Sequence, residues 1–175
     1  MQLEPTANYL DVNVKARYAN LKMAEQLLVS NGAHFVGEDI QVDTFYQVPL
    51  GKMKLREGTI ENLITHYLRE IVNGEWQTRV FVYEKFPSEE LKKKLLGHLP
   101  VLSQVRKTRR IFFIGNVKFH LDRFYNGDSF VEIEAIDKLG TLGVDHIRRQ
   151  ADEFSKLLSI QSHDILTQSY VDLYA

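Results

Sequence analysis

The stretch Leu10–Arg17, LDVNVKAR, alternates without a break. Leu10, Val12, Val14 and Ala16 are apolar, and Asp11, Asn13, Lys15 and Arg17 stand between them. A period of two places successive side chains on opposite faces of a β-strand, so one face can rest on a core. The other face is the constraint. Three of its four side chains are ionic, and the chain must fold into a sheet with somewhere to put them.

The same period recurs along the chain. Residues 39–48, 51–57, 62–70, 75–86, 101–114, 116–124 and 128–136 read as strands, many bounded by Gly, Asn, Asp or Pro. With the opening stretch that makes eight strands. Most neighbours are joined by turns too short for a crossover, which predicts antiparallel pairing. Helical periodicity appears at residues 20–32, 88–97, 142–158 and 164–173. Asn20 and Gly32 suit the two ends of the first. The second carries Glu89 and Glu90 in its first turn and Lys92–Lys94 toward its end, which matches the helix dipole. That lysine triplet is a solvated helix end, and Trp76 packs at a hairpin end.

Composition narrows the function. The 175 residues suffice for one domain over 1–175 with a sizeable core. No cysteine is present, which removes disulfides and thiolate metal sites and suits a cytoplasmic protein. No apolar run reaches membrane-spanning length, and the N-terminus lacks a signal-peptide pattern. The formal net charge of −1 gives no global attraction to DNA or to a membrane. An electrostatic function must come from charges sorted locally.

They are sorted by strand face. Lys52, Lys54 and Arg56 alternate with Met53 and Leu55. Tyr67 shares a face with Arg69, Arg79 is in line with Phe81 and Tyr83, and Lys107 lies with Arg109. Lys118, His120 and Asp122 oppose Val117, Phe119 and Leu121, while Glu132 and Glu134 oppose Val131, Ile133 and Ala135. About ten Lys and Arg side chains gather on the polar faces, against carboxylates at Asp11, Asp122, Glu132 and Glu134. A wet sheet face would mix both signs with neutral polar residues. A sheet closed into a barrel with this face inward would pack like charges in a confined space, which is costly unless a polyanion occupies it. Lys and Arg bind phosphate oxygens, and carboxylates hold Mg²⁺ or Mn²⁺ that bridges to them. The pattern points to a metal–polyphosphate site. For His120 a hydrogen-bonded structural histidine is the plainer reading.

At this level the sequence resembles the CYTH superfamily of triphosphate tunnel proteins, within it the class IV adenylyl cyclase-like branch. VNVKAR is similar to the family's opening E-x-E-x-K strand, and VDTFYQVPLGKMKLRE to its D-T-[FY]-[FY]-x-x-P-x-G-[RK]-[LM]-K-L-R segment. VRKTRRIFFIGNVKFHLDRF, GDSFVEIEAI and SYVDLYA resemble its later strands and C-terminus, in order over nearly the whole chain. The resemblance implies an α+β fold, an eight-stranded antiparallel β-barrel with helices on the outside. It implies Lys15, Lys54, Arg56, Arg69, Lys107 and Arg109 as phosphate ligands, with Arg17, Arg79 and Lys118 fitting the lumen by alternation. It implies Lys15 as the catalytic residue that positions or activates the nucleophile, and Asp122, Glu132 and Glu134 with Asp11 and Asn13 on the Mg²⁺ or Mn²⁺ side.

One departure stands in the opening stretch. Where the family has E-x-E, this chain has Asp11 and Asn13, so the metal side loses one negative charge. Three functions follow: a metal-dependent triphosphatase, an adenylyl cyclase making cyclic AMP and pyrophosphate, and a phosphate-compound binder without turnover. The substrate expected is a small-molecule triphosphate: a nucleoside triphosphate, thiamine triphosphate or tripolyphosphate. An RNA 5′-triphosphate also fits, and a homodimer is compatible with the sequence.

Overall fold

A computed structural model of the chain describes residues 10–72, 75–168 and 170–174, with the backbone alone described at 71–72, 75–78, 171 and 174. Trp76 therefore lies outside the described side chains. The strands are β1 (Leu10–Arg17), β2 (His34–Tyr46), β3 (Lys52–Gly58), β4 (Asn62–Val72), β5 (Glu75–Lys85), β6 (Val101–Ile114), β7 (Val117–Phe124) and β8 (Ser129–Asp137). They form one sheet in the order β1-β8-β7-β6-β2-β3-β4-β5. β1 with β8, β7 with β8, β2 with β3, β3 with β4 and β4 with β5 all pair antiparallel. The eight strands and the antiparallel pairing read from the alternation are those observed.

The helices are α1 (Leu21–Ser30), α2 (Glu89–Leu96), α3 (Val144–Leu157) and a short α4 (Tyr170–Tyr174). Asn20 caps α1 by accepting from the Met23 N–H at 3.1 Å, and Ser88 caps α2 by accepting from Leu91 at the same distance. No helix among the described residues is long and apolar enough to cross a membrane.

Chain contacts divide the protein into two units. The first comprises residues 1–38 and 108–167, of which the described part begins at Leu10. Its core joins Ala24 and Leu28 of α1 and Ile147 and Ala151 of α3 to Val117, Phe119, Leu121, Val131, Ile133 and Ala135. These strand residues occupy the apolar phase of β7 and β8, so the helices cover that face. Burying one such side chain contributes about 1.5–3 kcal/mol. The second unit comprises residues 39–107 and 168–175. Its core is smaller: Met53 and Leu55 of β3, Ile64 of β4 and Leu96 of α2. Here too the helix packs on the apolar phase, and the polar phase is left for the site.

Two elements differ from the sequence reading. β2 begins at His34 rather than Asp39. Residues 164–173 do not form one helix: a single 3₁₀ turn covers Ser162–Asp164, and α4 starts only at Tyr170. The reason is tertiary pairing. Ile165 bridges to Ala16, and the Leu166 N–H donates to the Lys15 carbonyl at 2.7 Å. Backbone groups committed to the edge of β1 cannot also close a helix.

Candidate functional site

In the first unit the register builds three rows across β1, β8 and β7. Asn13 lies opposite Glu134, which lies opposite Lys118. Lys15 lies opposite Glu132, which lies opposite His120. Arg17 lies opposite Phe130, which lies opposite Asp122. Side chains directly across an antiparallel pair are near neighbours, so each β8 carboxylate faces polar groups on both sides. The Glu132 Oε1 accepts from the Asn13 amide at 2.6 Å. Its Oε2 has Arg109 Nη2 at 3.6 Å, His120 Nδ1 at 3.6 Å and Lys15 Nζ at 3.8 Å. Arg109, 3% exposed, holds Asp122 in a two-pronged pair, Nε to Oδ1 at 2.7 Å and Nη2 to Oδ2 at 2.6 Å.

Burial pushes the Glu132 carboxyl up, but the charges of Lys15 and Arg109 overcome this and hold it well below the usual carboxylate range. His120 goes the other way. Burial, reinforced by the Arg109 charge, pushes it down to about 4, so the ring is neutral near neutral pH. At 3.6 Å its contact with Glu132 is longer than a hydrogen bond, and neither ring nitrogen has a hydrogen-bond partner among the described residues. The sequence reading of His120 as a hydrogen-bonded structural histidine is thus corrected. It is buried beside the Glu132 carboxylate at 3.6 Å.

In the second unit one carboxylate gathers three cations. Asp43 of β2 lies opposite Arg56 of β3. The guanidinium donates to it through Nε and Nη2, both at 2.8 Å. Lys107 Nζ reaches the same carboxylate at 3.0 Å, and Lys54 Nζ stands at 4.0 Å. Lys107 is 1% exposed. Arg56 also donates to Glu61 at 2.9 Å, and the Tyr170 ring lies 5.4 Å from the Lys107 ammonium. Burial would raise the Asp43 carboxyl; Lys54, Arg56 and Lys107 together hold it well below its ordinary value.

Of the residues read from the sequence, Lys15, Arg109, Asp122 and Glu132 come together in the first unit, with Asn13 bonded to Glu132. Lys118 and Glu134 are half-buried on the same rows, and half-buried Asp11 lies opposite Ile136. Lys54, Arg56 and Lys107 come together in the second. Three arginines lie apart from these groups. Arg17 is exposed, its guanidinium 5.4 Å from the Phe130 ring, and Arg69 is exposed beside Tyr67 at 5.9 Å. Arg79, 65% exposed in its side chain, pairs with Glu70 at 3.3 Å.

The position of Arg79 has a backbone cause. Thr65 lies across from Lys54 on one side and Tyr83 on the other. The register then slips, so His66 meets Val82 but Tyr67 meets Val80. The extra residue inverts the phase of β5, and Arg79 falls opposite Leu68, on the face away from Lys54 and Arg56. Strict alternation carried back from Tyr83 cannot see a bulge.

Asp43 was the residue missed. Its signal was present: Asp39, Gln41 and Asp43 alternate on β2, and all three are buried. Asp39 orders the β3–β4 turn by accepting from Thr59, Ile60 and Glu61.

Among the described residues no group of three His, Asp or Glu side chains is disposed to hold a metal ion. Both Asp122 oxygens carry the Arg109 fork. One Glu132 oxygen carries an amide, and the other faces two cationic side chains. Glu132 and Asp122 are bonded internally, and the acidic side does not fit a metal as it stands.

No family model matches the sequence, and no curated protein matches it. Solved structures do. A protein from Pyrococcus horikoshii OT3 is 24% identical with a TM-score of 0.74, covering 94% of this chain and 99% of its own. A conserved hypothetical protein from Pyrococcus furiosus is 18% identical with a TM-score of 0.77, at 94% and 99% coverage. A Vibrio parahaemolyticus protein described as a candidate adenylate cyclase is 19% identical with a TM-score of 0.72, at 94% and 98% coverage. At these identities the likeness establishes a shared fold.

Proposed function

We propose that this protein binds a triphosphate-bearing small molecule, with Lys54, Arg56 and Lys107 as phosphate ligands. The observation that carries the reading is the convergence of three cations on one buried carboxylate, Asp43. Three cationic side chains crowd one buried carboxylate, with Glu61 as a second partner of Arg56, and in a poorly solvated setting they set a positive local potential. Phosphate oxygens relieve it. The Arg56 fork offers the bidentate geometry phosphates take, while the two ammonium groups act as point charges. The sequence motifs, and a fold shared with a candidate adenylate cyclase, support a triphosphate over other anions.

The chemistry after binding is separated by one assay. The protein is incubated with ATP, thiamine triphosphate and tripolyphosphate, each with Mg²⁺, with Mn²⁺ and with chelator. Orthophosphate release identifies a triphosphatase, and pyrophosphate with cyclic AMP a cyclase. Thermal stabilisation without product identifies a binder, since a ligand bound only by the native state stabilises it by mass action. Absence of stabilisation with every compound would end the proposal.

A further inference from the structure

The Asn13–Glu132 bond at 2.6 Å is the shortest side-chain contact Glu132 makes in the described structure, and it joins β1 to β8 diagonally across the sheet. An acidic side chain at position 13 would set two carboxylates against each other there, and like charges at that distance demand a counter-cation. An amide removes the demand. It also donates a proton to the oxygen a cation would have taken.

The remaining Glu132 oxygen is equally committed. Arg109 and Lys15 stand at 3.6 and 3.8 Å from it, so positive charge already occupies its surroundings. A dication placed there would meet two cations at close range in a buried setting. His120 offers a nitrogen at 3.6 Å, yet His120 and Glu132 make two donors, and the nearby Asp122 has both oxygens in the Arg109 fork. Mg²⁺ needs near-octahedral oxygen ligation, and among the described residues, Asp11 and Glu134 included, no third His, Asp or Glu is disposed with these two to hold a metal ion.

From this geometry we infer that Asn13, Lys15 and Arg109 together stand in for a divalent cation on the acidic side. The protein then takes its polyphosphate as the metal-free anion. The second clause rests on the proposed triphosphate binding; the first does not. The ligand class becomes specific: a polyphosphate not complexed by Mg²⁺. This also gives the departure at position 13 a structural role, since the lost negative charge is what allows the acidic side to be bonded from within.

The test uses the full chain and two probes. Mn²⁺ alone is titrated into wild type, Asn13→Glu and Asn13→Asp, and the free ion is followed by its paramagnetic resonance signal. Wild type leaves the signal unchanged, and at least one acidic variant binds Mn²⁺ about tenfold or more tightly than wild type. The aspartate variant guards against a glutamate that unfolds the sheet, and circular dichroism checks both. Tripolyphosphate is then titrated calorimetrically into wild type with chelator and with excess Mg²⁺. The chelator leaves affinity within about threefold of the Mg²⁺ value or tightens it. Stoichiometric Mn²⁺ binding by wild type, folded acidic variants that bind Mn²⁺ no better, or tripolyphosphate binding abolished by chelator would each overturn the inference. Tripolyphosphate that fails to bind under every condition sinks the triphosphate reading and the metal-free clause with it, while the Mn²⁺ titration still decides the role of Asn13.

Discussion

Two clusters in this molecule are built from the same material, buried charge on alternate positions of β-strands, and they are balanced differently. Around Asp43, one carboxylate is approached by Lys54, Arg56 and Lys107. Around Glu132 and Asp122, two carboxylates are met by Lys15, Arg109 and the Asn13 amide. The first gathers three cations on Asp43, with Glu61 bonded to Arg56 as well, and the second sets two cations against two carboxylates. The difference teaches where an anion is drawn: a buried ion pair matched one to one gains little from a ligand, whereas several cations crowded on one carboxylate gain more. Both clusters sit on β6 at alternate residues, Lys107 and Arg109.

The largest expected effect breaks the comparison at its hinge. Asp43→Ala leaves Arg56 and Lys107 buried without their shared carboxylate and costs about 3–5 kcal/mol of stability by denaturant unfolding. Tripolyphosphate restores more of that loss than it adds to wild type, because the ligand replaces the missing charge. Asp122→Ala also loses stability, yet Arg109 keeps Glu132 at 3.6 Å, and tripolyphosphate restores none of it. Equal rescue of both variants would erase the distinction.

Acid tests the balanced cluster. The depressed His120 value means that between pH 6.5 and about 4 the unfolded chain takes up a proton the folded chain refuses. By linkage, stability therefore rises with pH through this window and falls as the pH is lowered, by about 3 kcal/mol from this group. Asp43 and Glu132, both held low, add losses of the same sign at more acidic pH. His120→Phe flattens the portion between pH 6.5 and 4, as read by thermal unfolding against pH. An unchanged slope would show that another group carries it.

The smallest effect bounds the comparison from outside. Arg79→Ala removes an exposed ion pair with Glu70 and changes stability by less than about 0.5 kcal/mol. It leaves tripolyphosphate affinity as in wild type. A tenfold loss would return Arg79 to the site.

How much of this could be read beforehand depends on what kind of rule each feature obeys. The eight strands, the antiparallel pairing and the first three helices follow from periodicity and capping, which are local. So does the grouping of Lys54 with Arg56, since residues two apart on a strand share a face. Arg79 was misplaced because a register slip at His66/Tyr67 leaves no mark in the alternation. The helix expected over 164–173 failed because Ile165 and Leu166 pair with β1, more than a hundred residues away in sequence. Asp43 does not stand out in the sequence because the cations it gathers come from β3 and β6, which no single strand pattern joins to β2. The bond from Asn13 to Glu132 required the register of β1 on β8, which no single strand contains.

The central claim is that the cations around Asp43 form the anion site, and calorimetric titration of tripolyphosphate into wild type and Lys107→Met tests it most directly. Methionine keeps the buried stem and removes only the ammonium, leaving Lys54 and Arg56 on Asp43. The account expects affinity to fall about tenfold or more, a loss of about 1.4 kcal/mol at least. An unchanged affinity in a folded Lys107→Met protein would contradict it.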